Sequence, residues 1–285
     1  MIELETFLPA AQEIDRTVGA ALDEDIGSGD LTASLIDKNT QITAQLICRE
    51  QAVLCGVAWF DRCCHLVDPE IDVSWRFADG ETLTPDCVVC SLEGSARSIL
   101  TAERTAINFL QTLSGVATQA SRYVKAVEGT QARILDTRKT LPGLRLAQKY
   151  AVVAGGAHNH RIGLYDGVLL KENHIAATGS IANALAAARQ AAPECDLLEI
   201  EVESLDQLDQ ALAANATRIM LDNFDLDMMR EGVRRAAGRA EIEASGNVTM
   251  ESLREIAETG VDYISVGALT KHLCAVDFSL RFSGA

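Results

Sequence analysis

Hydrophobic and polar residues follow two different patterns along the chain, and the change falls near residue 113. In the first part, apolar residues at steps of three and four predict helices over Pro9–Asp25 and Val57–Leu66 and a longer helix that begins at Ser95. Short apolar runs bounded by turn residues predict strands at Ile42–Arg49, Ile71–Phe77 and Cys87–Leu92. We therefore divide the chain into residues 1–112 and residues 113–274.

From residue 130 onward, strand patterns alternate with helix patterns. The strands read ARILD, GVLLK, LLEIEVE, RIMLD, AEIEAS and DYISVG. The helices between them are predicted over Ile181–Ala191, Leu205–Ala213, Asp227–Ala237 and Met250–Glu258. The strands follow one another at about 20 to 35 residues, which is the spacing of βα units in a parallel sheet. Six such units in series predict an α/β barrel.

Five of the six predicted barrel strands end in polar residues, and the sixth ends at a glycine and an alanine. In chain order they are Asp136-Thr137-Arg138-Lys139, Lys171-Glu172-Asn173-His174, Glu201-Val202-Glu203, Asp222-Asn223, Ser245-Gly246-Asn247 and Gly267-Ala268. In an α/β barrel these strand ends meet on one face, where active sites are built. Gly246 and Gly267 allow a close backbone approach, and N–H groups at the following helix starts can bind a phosphate.

The charge distribution supports such a site. The sequence has 285 residues, 48% of them apolar, and a formal net charge of −16, so we expect neither a nucleic-acid partner nor a membrane partner. The N-terminus carries acids where a signal peptide has basic and apolar residues, and we expect a cytoplasmic protein. Residues 133–174 hold seven Lys or Arg against three acids, a charge of +4 against −20 for the rest. This basic segment predicts a pocket for a small polyanion, with scattered ion pairs as the alternative.

Six of the eight cysteines lie in the first third of the chain. Cys87 and Cys90 have the spacing of metal ligands, and Cys63-Cys64-His65 could supply partners for a zinc site. The segment around Cys87 and Cys90 also has the pattern of a buried strand, and we favour that interpretation.

Several long motifs resemble the quinolinate phosphoribosyltransferase family. The main one runs from Leu135 to Ile175 and reads LDTRKTLPGLRLAQKYAVVAGGAHNHRIGLYDGVLLKENHI. Others, in chain order, are ALDEDIGSGDLTASLI, AERTAINFLQTLSGVAT, EIEVESLDQL, IMLDNF, EASGNVT and ISVGALTKH. One departure is Ala157, where many members of the family have a third glycine before Asn159-His160-Arg161.

The resemblance implies an N-terminal α/β sandwich domain and a C-terminal incomplete TIM-like α/β barrel, with a return strand over residues 275–285. It also implies a homodimer whose sites are completed by the partner, and leaves open a further assembly into a hexamer. The implied reaction joins quinolinate to phosphoribosyl pyrophosphate with Mg²⁺ and yields nicotinate mononucleotide, CO₂ and pyrophosphate. This is a pentosyl transfer in the de novo synthesis of NAD.

The resemblance also implies roles for single residues. Arg138 and Arg161, with Arg104 from the second subunit, match the positions that bind the carboxylates, and guanidinium groups suit that task. The other basic positions, which face quinolinate and the phosphates, are Lys139, His160 and Lys171. Glu201 and Asp222 match acids that bind the ribose or Mg²⁺, directly or through water or substrate. The catalytic set is therefore Lys139, Lys171, Glu201 and Asp222.

The remaining substrate-binding positions belong to the phosphate loops and to the end of the first barrel strand. They are Thr137, Ser245, Gly246, Asn247, Val266, Gly267 and Ala268. Three alternatives remain open: the molybdenum-transport-associated relative of the family, a Schiff-base aldolase with Lys171 as nucleophile, and a non-catalytic zinc or redox module at Cys87 and Cys90.

Overall fold

The computed structural model describes residues 4–282 and divides into two compact units. The first unit contains the chain up to Ser121, Thr140–Gly156 and the segment from Leu269 onward. The second unit contains Arg122–Lys139 and Ala157–Ala268. The division at residues 112 and 113 that we drew from the sequence falls inside one continuous helix, Ala96–Ala126.

The first unit is built from helices and antiparallel strands. Its helices are α1 (Ala11–Ile26), α2 (Val57–Val67), α3 (Ala96–Ala126, which continues into the second unit) and α4 (Arg145–Ala154). Its strands are β1 (Gln41–Cys48), β2 (Ala52–Val53), β3 (Asp72–Trp75), β4 (Thr82–Leu83), β5 (Val88–Ser95) and β12 (Phe278–Phe282). Four of them form an antiparallel sheet in the order β12-β1-β5-β3, and β2 pairs with β4.

Aromatic and aliphatic side chains fill the core of the first unit. Trp59 and Phe60 on α2 are 1% exposed, and the Phe60 ring packs edge-on against Trp75 at 5.2 Å between centroids. Gly115 on α3 is required by a close approach, because a Cβ at this position would lie 2.3 Å from the carbonyl oxygen of Cys274. The segment leading to β12 therefore crosses α3 at backbone contact distance.

The second unit contains six parallel strands. They are β6 (Arg133–Leu135), β7 (Val168–Leu170), β8 (Leu198–Val202), β9 (Arg218–Asp222), β10 (Glu241–Ser245) and β11 (Tyr263–Ser265). The helices between them are α5 (Glu172–Thr178), α6 (Ile181–Ala191), α7 (Leu205–Ala213), α8 (Leu226–Ala236) and α9 (Leu253–Ala257), followed by α10 (Ala268–Lys271). The sheet order is β6-β11-β10-β9-β8-β7, and residue 158 makes a parallel bridge with Leu135 at the outer edge of β6. This cyclic order, with no β6–β7 pairing within residues 4–282, is that of an incomplete TIM-like barrel.

Strand alternation gives the sheet one apolar face and one polar face. On the apolar face, Leu221 meets α8, since a Cβ on Gly232 would lie 3.3 Å from its side chain. The opposite, inner face carries the acids of β8 and β10 and the Asp that ends β9. Ser180, Ser204 and Asp225 begin α6, α7 and α8 by accepting a hydrogen bond from a backbone N–H of the first turn.

The predicted fold class is confirmed, and all six barrel strands lie where their patterns indicate. The helix predicted over Met250–Glu258 is shorter, because Thr249 and Ser252 bond each other's backbone N–H groups and form a turn before α9. Helices α4 and α5 and the short strands β2 and β4 were not predicted. None of the helices within the described residues is both long and apolar enough to cross a membrane.

Candidate active site

The second unit brings the predicted barrel residues to one edge of its sheet. Ser245 is in register with Asp222, Val202 with Leu221, and Ser265 with Leu135, so the carboxyl ends of the strands are level. Every predicted site residue except Arg104 belongs to this unit. Arg104 lies exposed on α3 in the first unit.

The basic segment noted in the sequence is divided between the two units. Arg145 and Lys149 lie on α4 in the first unit, and Arg133 lies at the amino end of β6, away from the strand ends. The cations that remain at the strand ends of the second unit are Arg138, Lys139, Arg161 and Lys171.

Two guanidinium groups are held close together at this edge. Burial lowers the pKa of Arg161, and the positive charge of Arg138 lowers it further. The Arg161 guanidinium donates to the carbonyl oxygen of Gly167 at 2.9 Å, which fixes it beside the start of β7. The loop from Arg161 to Gly167 is held by Asp166, whose carboxylate accepts hydrogen bonds from the backbone N–H groups of Ile162 (2.7 Å) and Gly163 (2.8 Å). Arg138 follows β6 and Arg161 lies in the loop before β7, so this edge carries two neighbouring cations that suit a molecule with two anionic groups.

The inner face next to these cations carries two acids with different surroundings. Glu201 is 8% exposed and forms an ion pair with Lys171. Asp222 is half-buried and accepts a hydrogen bond from the side-chain amide of Asn223 at 2.9 Å. Glu201 is on β8 and Asp222 is on β9, and these two strands are neighbours in the sheet. Two carboxylates at neighbouring strand ends offer the oxygen ligands that Mg²⁺ and sugar hydroxyls prefer.

Two glycine loops complete the edge. Gly246 has a φ of +99°, and a Cβ there would lie 2.3 Å from the side-chain oxygen of Asn223. Gly267 lies against the Lys139 side chain, where a Cβ would be 2.8 Å from Cδ. Asn247 has a φ of +45°, so the backbone turns sharply after β10. Backbone N–H groups in such turns can surround a phosphate.

A second group of charged side chains lies on the same face of the sheet, nearer the amino ends of the strands. It consists of His160, Glu199, Arg218 and Glu243. The His160 Nε2 lies 2.8 Å from Glu199 and 3.8 Å from Glu243, and Arg218 lies 2.8 Å from Glu243. Burial raises the pKa of Glu199, and burial together with the neighbouring Glu199 charge raises the pKa of Glu243 to about 7. The Arg218 guanidinium also stacks on the Tyr263 ring at 4.0 Å.

Three members of this cluster were missed in the sequence. Glu199, Arg218 and Glu243 each stand at an even step from a predicted site residue on the same strand: Glu201, Asp222 and Ser245. Because side chains two apart share a face, this period was a usable signal. His160 was predicted to face substrate, and the structure places its ring in the buried cluster, 7% exposed as a residue.

The zinc alternative finds no support among the cysteines. Cys90 lies buried on β5, and burial raises the pKa of its thiol and of Cys63 and Cys64, whereas zinc binds the thiolate. Within residues 4–282, the one group of three candidate ligands within 4.8 Å is His160, Glu199 and Glu243. Arg218 already supplies the positive charge there.

Comparison with known proteins decides the family. Residues 116–281 match the C-terminal domain of quinolinate phosphoribosyl transferase, and residues 30–114 match its N-terminal domain. The chain belongs to the quinolinate phosphoribosyl transferase family. This confirms the resemblance of the sequence motifs.

Two curated members of the family are similar over nearly their whole length. A probable nicotinate-nucleotide pyrophosphorylase [carboxylating] from Bacillus subtilis is 42% identical over 257 residues, which is 90% of this chain and 89% of the relative. The nicotinate-nucleotide pyrophosphorylase [carboxylating] from Mycobacterium leprae is 43% identical over 274 residues, 93% of this chain and 95% of the relative.

A solved structure of the family is equally similar. The nicotinate-nucleotide pyrophosphorylase from Francisella tularensis superimposes with a TM-score of 0.93 at 44% identity. The match covers 96% of this chain and 98% of that one. The Schiff-base alternative fits this family site poorly, since the Lys171 Nζ is already paired with the Glu201 carboxylate.

Proposed function

We propose that this protein transfers the phosphoribosyl group of phosphoribosyl pyrophosphate to quinolinate and releases nicotinate mononucleotide, CO₂ and pyrophosphate, as a step in NAD synthesis. The observation that carries the proposal is the Arg138–Arg161 pair. The positive charge of Arg138 is close enough to lower the pKa of Arg161, and two neighbouring guanidinium groups favour a ligand with two negative charges. Quinolinate has two adjacent carboxylates, and planar guanidinium groups bind such groups in bidentate fashion.

The second substrate is assigned to the other strand ends. The turns at Gly246 and Gly267 would bind the 5′-phosphate through backbone N–H groups, and Lys139 lies against Gly267 where it can reach the same anion. Glu201 and Asp222 would bind ribose hydroxyls and, by their charge, stabilise the positive charge that develops at the anomeric carbon. Lys171 would hold Glu201 in place and attract the substrate anions.

Mg²⁺ fits this donor set. Glu201 and Asp222 present carboxylate oxygens from neighbouring strands on one face, and Mg²⁺ is held in proteins by one or two carboxylates together with substrate phosphates. When bound, the ion would neutralise charge on the pyrophosphate leaving group. The side chains themselves orient the two substrates, and no covalent nucleophile on the protein is required.

A partner subunit completes the proposed site. Arg104 is exposed on α3 and would contribute to the carboxylate-binding group of a second copy in a homodimer. Dimers could assemble further into hexamers. A cytoplasmic location is part of the proposal, and the net charge of −16 argues against a nucleic-acid or membrane partner.

The direct test is incubation of the purified full chain with quinolinate, phosphoribosyl pyrophosphate and Mg²⁺, followed by detection of nicotinate mononucleotide and CO₂. Nicotinate in place of quinolinate is the matched control and should give little product, since it has one carboxylate for two arginines. Arg138→Lys and Arg161→Lys should each weaken quinolinate binding by roughly 1.5–3 kcal/mol, the range of a charge-assisted contact. The KM for phosphoribosyl pyrophosphate should change much less. Equal losses for both substrates would contradict the assignment of these arginines.

A further inference from the structure

The buried charged cluster lies directly under the proposed substrate-binding edge. Glu199 precedes Glu201 by two residues on β8, and Glu243 precedes Ser245 by two residues on β10, so each lies one layer toward the amino ends of the strands. Both acids have no exposed surface. Nothing in the proposed chemistry uses them.

The hydrogen bonds define how the His160 ring is held. The backbone N–H of Arg161 donates to Nδ1 at 2.7 Å, so this nitrogen carries a lone pair and no proton. Nε2 therefore carries the proton and donates to Glu199 at 2.8 Å. Arg218 lies 3.4 Å from the second oxygen of Glu199 and 2.8 Å from Glu243, which keeps both acids oriented around the ring. Both ring nitrogens are thus used by the protein.

The same ring fixes the residue that follows it. The backbone N–H of His160 donates to Asp136 at 2.8 Å at the end of β6, and its ring accepts from Arg161. The Arg161 guanidinium then donates to Gly167 before β7. The backbone of Arg161 is therefore connected to Glu199 through the His160 ring. If the ring moves, the Arg161 backbone N–H loses its hydrogen-bond acceptor.

We propose that Glu199 is a positioning residue for quinolinate binding, because it holds the His160 ring that in turn orients Arg161. A metal ion is not part of the cluster, because the buried Arg218 guanidinium would repel it. The inference rests on the proposed function, since it takes Arg161 to bind a quinolinate carboxylate.

The test compares two substitutions of nearly equal size in the full chain. Glu199→Gln keeps an acceptor for the His160 ring, and Glu199→Met removes it. We expect Glu199→Met to raise the KM for quinolinate about tenfold or more, because the buried Nε2–H of His160 loses its acceptor, and Glu199→Gln to restore most of the wild-type value. The KM for phosphoribosyl pyrophosphate should stay within about twofold in both variants. The control is Glu241→Gln, an exposed acid 3.9 Å from the same Arg218, which should change neither constant.

A double-mutant cycle separates this inference from the proposed function. If Arg161→Lys leaves the quinolinate KM unchanged, the carboxylate assignment itself is wrong. If Arg161→Lys weakens quinolinate but Glu199→Met does not, or if the two losses simply add, Glu199 does not act through Arg161. A parallel rise in both KM values, with a lower melting temperature, would show a structural role only and overturn the proposal.

A second measurement uses the wild-type protein, in case Glu199→Met does not fold. Nitrogen-15 NMR of the histidine rings reports the tautomer, and the His160 signals are assigned by their loss in His160→Gln. We expect Nδ1 without a proton and Nε2 with one, and no change of tautomer when quinolinate is added. Protonation of Nδ1, with or without quinolinate, would break the bond to Arg161 and refute the inference.

Discussion

Gly246 offers the sharpest test of the proposed phosphate loop. Its φ of +99° is a conformation that side chains rarely adopt, and a Cβ would lie 2.3 Å from the Asn223 side-chain oxygen and 3.0 Å from its backbone nitrogen. The substitution Gly246→Ala must therefore move the loop, Asn223 or both. Asn223 cannot move without consequence, because its side-chain amide donates to Asp222 at 2.9 Å and its backbone N–H donates to Ser245 at 3.0 Å.

The magnitude follows from comparison with a glycine that has the same backbone constraint and free space. Gly238 has a φ of +75°, and a Cβ at this position would have no atom within 4 Å. It lies in the turn before β10, at the amino end of the strand. Gly238→Ala should cost about 1 kcal/mol of unfolding free energy, the strain of a positive φ. Gly246→Ala adds a steric clash in a tightly packed loop, for which we expect roughly 1–3 kcal/mol more.

The functional effect should be larger than the loss of stability. A displacement of about 1 Å in a group that positions a substrate can cost on the order of 100-fold in rate. We expect Gly246→Ala to raise the KM for phosphoribosyl pyrophosphate about 10- to 100-fold and to lower kcat through Asp222, with quinolinate binding within about twofold. Steady-state kinetics with each substrate varied, together with urea unfolding of both variants, measures this. If Gly246→Ala behaves like Gly238→Ala in both assays, Gly246 is not part of a phosphate-binding loop.

Three further outcomes are expected. Asp222→Asn keeps the shape of the side chain but removes its charge, so it should lower kcat more than it changes quinolinate affinity. Inactive Arg104→Ala and Lys171→Ala chains should complement each other when mixed, to at most about a quarter of wild-type activity, because one site of each mixed dimer carries neither defect. Asp61 is half-buried and accepts a hydrogen bond from the Trp75 indole N–H at 2.8 Å, and its partial burial raises its pKa to about 6. Asp61→Asn should therefore stabilise the protein by about 1–2 kcal/mol above pH 6, after allowance for partial solvent exposure, and by almost nothing below pH 4.

Each of these has a result that would contradict it. Unchanged turnover of Asp222→Asn at saturating Mg²⁺ would remove Asp222 from both the metal and the transition-state roles. Verified mixed dimers that stay inactive would place the action of Arg104 within its own chain. For Asp61, the sign follows from linkage: the folded state binds the proton more tightly, so wild-type stability falls as pH rises from about 4 to 6. A stability gain from Asp61→Asn that is equal at pH 4 and pH 8 would therefore refute the burial argument.

The barrel could be predicted because most of its strands are marked twice in the sequence, by an apolar run and by the polar residues that end it. RIMLD and AEIEAS are examples, and β9 and β10 lie where these segments indicate. Helix α4 was missed for a physical reason. Its residues from Ala147 to Ala154 are all buried, Gln148 and Lys149 included, so its polar residues do not mark an exposed face. Residues Thr140–Gly156 belong to the first unit although barrel segments flank them in the sequence. The local pattern of apolar and polar residues does not indicate this assignment.

The candidate site shows why residue type alone does not determine a role. β8 carries two glutamates two residues apart, with the same side chain on the same face. Glu201 lies at the strand end, where it is paired with Lys171, a side chain 43% exposed, whereas Glu199 lies one layer deeper and meets only buried partners. A carboxylate at the first position can meet substrate, and one at the second can act only through the groups it holds. The position of each glutamate along β8 decides this difference, together with the side chains that the neighbouring strands place beside it. The sequence of β8 alone does not contain that information.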